Sequence, residues 1–350
     1  MLSRRGFLAG LGAATAPVPG WAAAGSPIAL SCAATADGAF VLTGIKADGS
    51  LAFTIPLPAR GHAGAAHPTF AEAVVIARRP GDFALIINCV DGSVTRQLKA
   101  PKGRHFYGHG TFSADGTLFF TTENAFETGE GRIGVWDVAL GYERLDEFTS
   151  EGIGPHEIIR LKSGALAVAN GGIRTHPASG REKLNLDTMR SNLSLFDTNG
   201  RLFDQFEANA QLSSLRHIAE VADGGIAVGY QWQGDPFEPA PLIGLAKNGI
   251  MTDFDDPEIT RSLNAYVGSV ASHPKGLAAT SPRGGKLVVF DAFGQSQLSL
   301  SAMDICGLAM TGGSVIATDG FGTVFRLDRE MHRQASHALL FDNHLIGIAA

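Results

Sequence analysis

The chain has 350 residues, 28 Lys+Arg against 34 Asp+Glu, and a formal net charge of -6. Hydrophobic residues make up 45% and charged residues 18%, which excludes a disordered chain and is enough to build a large core without disulfide staples. The mild acidity excludes a phosphate-tracking nucleic-acid surface, which needs an excess of Lys and Arg.

In chain order, the first feature is an address. Ser3-Arg4-Arg5-Gly6-Phe7-Leu8 sets two arginines before a weakly hydrophobic stretch, Phe7 to Trp21, rich in Ala and Gly. Ala22-Ala23-Ala24 then supplies the small residues of a cleavage site. Residues 1–24 are expected to be a twin-arginine export signal and residues 25–350 one folded domain delivered to the periplasm. No segment approaches the ~20 strongly apolar residues of a spanning helix, so no transmembrane segment is expected in the mature chain.

Short β-rich runs follow, near 28–33, 39–44 and 50–55, punctuated by Ala36-Asp37-Gly38 and Ala47-Asp48-Gly49. The same rhythm continues through Asp91-Gly92, Ala114-Asp115-Gly116, Ser163-Gly164, Asn199-Gly200, Ala222-Asp223-Gly224 and Asn248-Gly249. Asp-Gly and Asn-Gly between apolar runs are hairpin signals. One weak helical candidate lies at Pro257–Leu263, and a last strand at 344–349 has no partner after it.

These runs are repeats. Copies of an inner strand begin at His62, His109, His156, His217, near Ser269, at Cys306 and at His344, separated by 47, 47, 61, 52, 37 and 38 residues. Such spacings suit four-stranded propeller blades of ~40–50 residues. The expected fold is all-β, a single seven-bladed β-propeller in which the C-terminal strand closes the first blade; six or eight blades are the alternatives. Closure of this kind removes the exposed edges of an open array.

The same repeat position carries the chemistry. His62, His109, His156, His217, Cys306 and His344 are expected to face one another at one end of the central channel. Imidazole and thiolate are donors for transition metals, so copper or iron is the expected cofactor, with zinc possible. Arg60, Arg104 and Arg216 precede inner-strand starts and are candidates to hold an anion at the same mouth. Glu157 and Asn343, beside His156 and His344, are candidates to support the ligands, as is Asp342. Hydrogen-bonded channel histidines without metal are the plainer alternative. Cys32 and Cys89 are expected to be buried thiols, although a bridge between them is possible. Two loops stand out for their polar content, Gly171 to Met189 and Thr280-Ser281-Pro282-Arg283-Gly284-Gly285. No G-x-S-x-G elbow, P-loop, C-x-x-C-H or H-E-x-x-H is present.

Long motifs add a resemblance. Arg104–Gly110, Thr121–Asn124, Gly152–Glu157, the Gly171–Met189 loop, Ser281–Gly285 and Asp342–His344 together resemble a bacterial family of twin-arginine-exported, propeller-type proteins labelled as a domain of unknown function. The resemblance covers nearly the whole mature chain. It implies genes neighbouring imelysin-type and di-haem oxidoreductase-like periplasmic proteins, and so a role in iron or copper handling with imelysin-type uptake proteins as partners. It implies no catalytic residues; the ligand set rests on the repeats. Three functions follow as expectations: a periplasmic metal-binding propeller for transition-metal uptake or redox handling, a metal-dependent enzyme acting on a small anion, or a non-catalytic scaffold.

Overall fold

The structure is a computed structural model describing residues 19–77 and 81–348. Residues 1–18 of the expected export signal lie outside the described residues. The described part of that segment continues into the folded body: Trp21 Nε1 donates to the His67 carbonyl at 2.9 Å, and Ala24 is buried among the residues of blades 1 and 2.

Seven antiparallel sheets form seven blades of a β-propeller, as the repeat spacing predicts. Six blades are four-stranded meanders in chain order, with inner strands Gly61–Ala66, Arg104–Phe112, Pro155–Arg160, Ser213–Glu220, Ser269–His273 and Ile305–Thr311 for blades 2 to 7. Blade 1 joins both ends of the chain. Ala29–Thr35, Phe40–Ile45 and Leu51–Leu57 supply its outer three strands, and the C-terminal segment supplies its inner one. That inner strand starts earlier than the expected 344–349. Leu339–Phe341 already pairs with Ala33–Thr35, the ladder breaks at Asp342–Leu345, and Ile346–Gly347 resumes pairing with Ala29–Leu30.

Burial explains why each strand has its composition. Middle strands are covered on both faces by neighbouring blades and read as continuous apolar runs, as in Glu72–Ala77 and Ala84–Asn88. Outer strands face solvent and turn polar, as in Val94–Leu98 and Ser296–Ser301. Asp-Gly turns work through the aspartate: Asp115 Oδ1 accepts from Ser113 Oγ at 2.6 Å and Thr117 N at 3.1 Å, while Gly116 takes φ +74°. The helical candidate is an α-helix, Pro257–Ser262, capped by Asp256, which accepts from Glu258 N and Ile259 N. Cys32, Cys89 and Cys306 are buried and free. No helix among the described residues is long and apolar enough to cross a membrane.

Candidate metal centre

Irregularities in the inner strands aim the candidate side chains. In blade 2 His62 is an extra residue between the pairs Gly61↔Ala77 and Ala63↔Ile76. In blade 4 His156 is extra between Pro155↔Asn170 and Glu157↔Ala169. The blade 3 ladder is interrupted from Phe106 to Gly110, across His109, and the blade 7 ladder from Ile305 to Leu308, across Cys306. Blade 1 breaks at His344, between its two paired pieces. By contrast the blade 6 inner strand, which carries Ser269 at the repeat position, pairs in unbroken register. A bulge rotates a side chain out of the sheet's alternation, so here it points residues inward that a regular strand would place between blades.

In blade 5 the extra residue is Arg216, between Leu215↔Tyr230 and His217↔Gly229. By register Arg216, not His217, is therefore the counterpart of His62 and His156. His217 stands level with Glu157.

The five histidines nevertheless meet. Ring centroids are 4.6 Å apart for His62 and His344, 4.7 Å for His109 and His344, 4.8 Å for His109 and His156, 5.0 Å for His156 and His217, and 5.1 Å for His217 and His344. Gly108 makes room for them: it takes φ +101°, and a Cβ there would stand 2.6 Å from His62 Cδ2. His62, His109 and His156 each offer a ring nitrogen, and these three atoms lie within 4.8 Å of one another. Cys306 stands apart from that triad; its Sγ donates to the Asn343 carbonyl at 3.5 Å.

Carboxylates hold the rings from behind. Asp342 Oδ1 lies 3.7 Å from His62 Nδ1, and its Oδ2 accepts from Arg60 Nε at 2.5 Å. Burial pushes the Asp342 carboxyl up, but His62 and Arg60 outweigh that and hold it at about 2. Glu157 stands between His109 Nδ1, at 3.9 Å, and His217 Nδ1, at 3.4 Å, and accepts from Ile218 N at 2.8 Å. The His109 and His156 imidazoles are pushed well below the usual histidine range, first by burial and then by neighbouring positive charge. Both rings are thus neutral at pH 7, the state in which imidazole donates a lone pair to a metal.

The donor set fits a transition metal. His109 Nε2 and His156 Nδ1 are buried without a hydrogen-bond partner among the described residues, whereas the buried His62 Nδ1 and His217 Nδ1 face Asp342 and Glu157 at 3.7 and 3.4 Å. Each unsatisfied atom costs about 1–3 kcal/mol, and a metal bound by the His62, His109 and His156 triad would relieve that cost. Metal–nitrogen bonds of about 2.0–2.1 Å require the rings to draw together. The donors are nitrogen-rich and borderline-soft, which suits copper, zinc or iron and not calcium or magnesium.

The cluster separates two cavities. On one side, about 350 Å³ is lined by His109, Glu157, His344 and small inner-strand residues such as Ala63, Gly64 and Ser269. On the other, about 270 Å³ is lined by His62, His156, Asn343, Arg181, Arg216 and Arg283 among others. Of the three arginines singled out by spacing, Arg216 alone lines this second cavity. Arg60 is committed to Asp342, and Arg104 pairs with Glu147 and Glu123 inside blade 3. Arg181 and Arg283 were not foreseen as site residues, although each lies in a loop that stood out for its composition. His105 belongs elsewhere: its Nδ1 meets the Phe106 carbonyl and its Nε2 meets Asn124.

Comparisons with known proteins agree with the fold. A family model described as "Protein of unknown function (DUF1513)" matches residues 55–348. No curated protein matches the chain in sequence. Among solved structures, a chain from Kuenenia stuttgartiensis hydrazine synthase is similar over 91% of this chain and 99% of its own, with a TM-score of 0.63 at 14% identity. At that identity the likeness concerns the fold alone.

Proposed function

The chain belongs to the DUF1513 family of proteins of unknown function, and from that premise we propose that it is a periplasmic transition-metal-binding propeller, with copper or iron at the histidine cluster. The observation that carries this reading is the convergence of His62, His109 and His156 ring nitrogens within 4.8 Å, with His109 buried and the other two half-buried, and with Asp342 behind His62 and Glu157 behind His109. His217 and His344 complete the shell around the triad. Asp342 and Glu157 orient the rings and stabilise the tautomer that presents a lone pair, the usual task of a carboxylate behind a metal-binding histidine. When bound, the metal would supply a Lewis acid or a redox centre at the middle of the channel.

The proposed setting is transition-metal uptake or redox handling in the periplasm, alongside imelysin-type proteins, after export by the twin-arginine route. That route carries folded proteins, so the site can be filled before export. Elemental analysis of untagged protein from the periplasm tests the reading. Near-stoichiometric copper or iron is expected, lost in the His109→Ala, His156→Ala double variant. Wild-type protein that holds only traces and takes up neither metal on titration overturns it.

A further inference from the structure

The cavity beyond His62 and His156 is built almost wholly from cationic and neutral polar groups. Arg181, Arg216 and Arg283 line it, and Lys183 lines an adjoining cavity of about 230 Å³ that shares all three arginines. Among the described residues no carboxylate lines either space. Of the carboxylates beside the histidines, Asp342 is paired with Arg60, and Glu157 lines the cavity on the far side of the rings.

A local backbone feature carries each arginine. Arg216 is the extra residue of the blade 5 bulge and lies on Gly171, where a Cβ would come within 3.1 Å of its Cζ. Arg283 sits on a pinned turn: Ser281 Oγ donates to the Leu263 carbonyl at 2.6 Å and accepts from Gly284 N at 3.0 Å. Its guanidinium stacks 4.3 Å from the centroid of the Tyr266 ring. The long loop that brings Arg181 and Lys183 is tied down by Asn185, which accepts from Arg174 N at 2.7 Å and donates to the Gly172 carbonyl at 2.9 Å. The two loops conspicuous in the sequence thus converge on one cavity with the bulge of a third blade.

We propose that this cavity is a binding site for a small multivalent oxyanion, a polycarboxylate or a phosphate, held by Arg181, Arg216 and Arg283 over the histidine cluster. Guanidinium forks match the paired oxygens of such groups and bind them bidentately. Arg181 and Arg283 are exposed and Arg216 is half-buried, so their mutual repulsion is screened by solvent, and an anion bound between them would turn it into attraction. The space is below the ~300–1,000 Å³ of drug-sized pockets, so the ligand is small. The inference deepens the metal reading and rests on it in one respect: the anion would lie against His62 and His156 and so complete the surroundings of a metal there.

Calorimetric titration of metal-free protein with citrate, and separately with inorganic phosphate, tests the site. At least one of the two binds, with affinity falling as salt is raised. Arg181→Gln and Arg283→Gln each weaken it about tenfold, the size of one lost charge-assisted hydrogen bond. Arg326→Gln, an exposed residue on the third strand of blade 7, leaves it unchanged. Tighter citrate identifies a polycarboxylate site and tighter phosphate a phosphate site. Arg181 is exposed, so its variant keeps the fold, and a melting curve verifies this for both. Absence of binding by either anion, or equal binding by wild type and both variants, overturns the proposal. Titration of the same metal-free protein with copper and with iron separates the two readings. Anion binding without metal uptake removes the metal and leaves the anion site; metal uptake without anion binding does the reverse.

Discussion

Gly108 shows how closely backbone and site are coupled at a single residue. Its φ of +101° lies where a side chain is strained, and a Cβ would collide with His62. Gly108→Ala is therefore expected to cost about 1–2 kcal/mol from the backbone alone and to displace His62. Denaturant unfolding would register the first effect and metal titration the second; a variant as stable and as readily loaded as wild type would refute both. Asp342 provides the complementary case. Its carboxylate touches no proposed metal position, yet it faces His62 Nδ1 and neutralises Arg60. Asp342→Asn is expected to lower metal affinity about 10–100-fold, the usual cost of removing a partner behind a ligand. Titration with copper or iron would measure this, and unchanged affinity would show that His62 needs no orientation from behind.

At the scale of elements, the device that makes the site is the bulged inner strand. A regular strand alternates its side chains between two neighbouring blades, as the blade 6 inner strand does. An interrupted one delivers a histidine or an arginine to the axis, at the cost of ladder hydrogen bonds. The inner strand of blade 1 has a second duty, because its two paired pieces close the ring and the break between them carries His344. Truncation after Ser336 removes both functions. It exposes the edge of Ala29–Thr35 and uncovers Ala33, Val41 and Ile45, which pack with Leu339, Phe341 and Leu345. The truncated chain is expected to aggregate or to melt without a cooperative transition, as an unclosed sheet edge invites pairing with other chains. Size-exclusion chromatography and a thermal melt would detect this. A monomer with a wild-type transition would mean that closure contributes little.

Across the whole molecule, the buried histidines link stability to pH. His109 and His156 have folded pKa values well below the unfolded value near 6.5. Above that value both states are neutral there, and the pair contributes no pH dependence. Below it the unfolded chain takes up protons that the folded chain resists, so stability falls as pH drops through 6.5 toward the lowered folded values. Metal requires the same neutral rings, so a metal-induced rise in Tm should persist below pH 6.5 and be lost only as pH falls through the lowered folded values of His109 and His156. Melting curves with and without copper at a series of pH values from 7.5 downward would test this. A metal shift already abolished on crossing 6.5 would place the ion away from these two rings.

The seven-bladed architecture was legible in the chain alone, because each blade repeats a local grammar. Asp-Gly and Asn-Gly turns, apolar middle strands and polar outer strands recur blade after blade, and each is dictated by residues within one hairpin. Histidine at one repeat position was visible for the same reason. Register was not. A bulge of one residue exchanges Arg216 for His217 at the level of His62 and His156, and nothing local marks which residue is the extra one. The partners of Arg60 and Arg104 were equally hidden, since Asp342 is brought beside Arg60 by ring closure and Glu147 lies across a sheet from Arg104. Arg181 and Arg283 stand about a hundred residues apart and share a cavity only because blades 4 to 6 curve around one axis. Periodic, short-range physics thus decided the fold, while the long-range meeting of charges that shapes the site depended on tertiary closure of the ring.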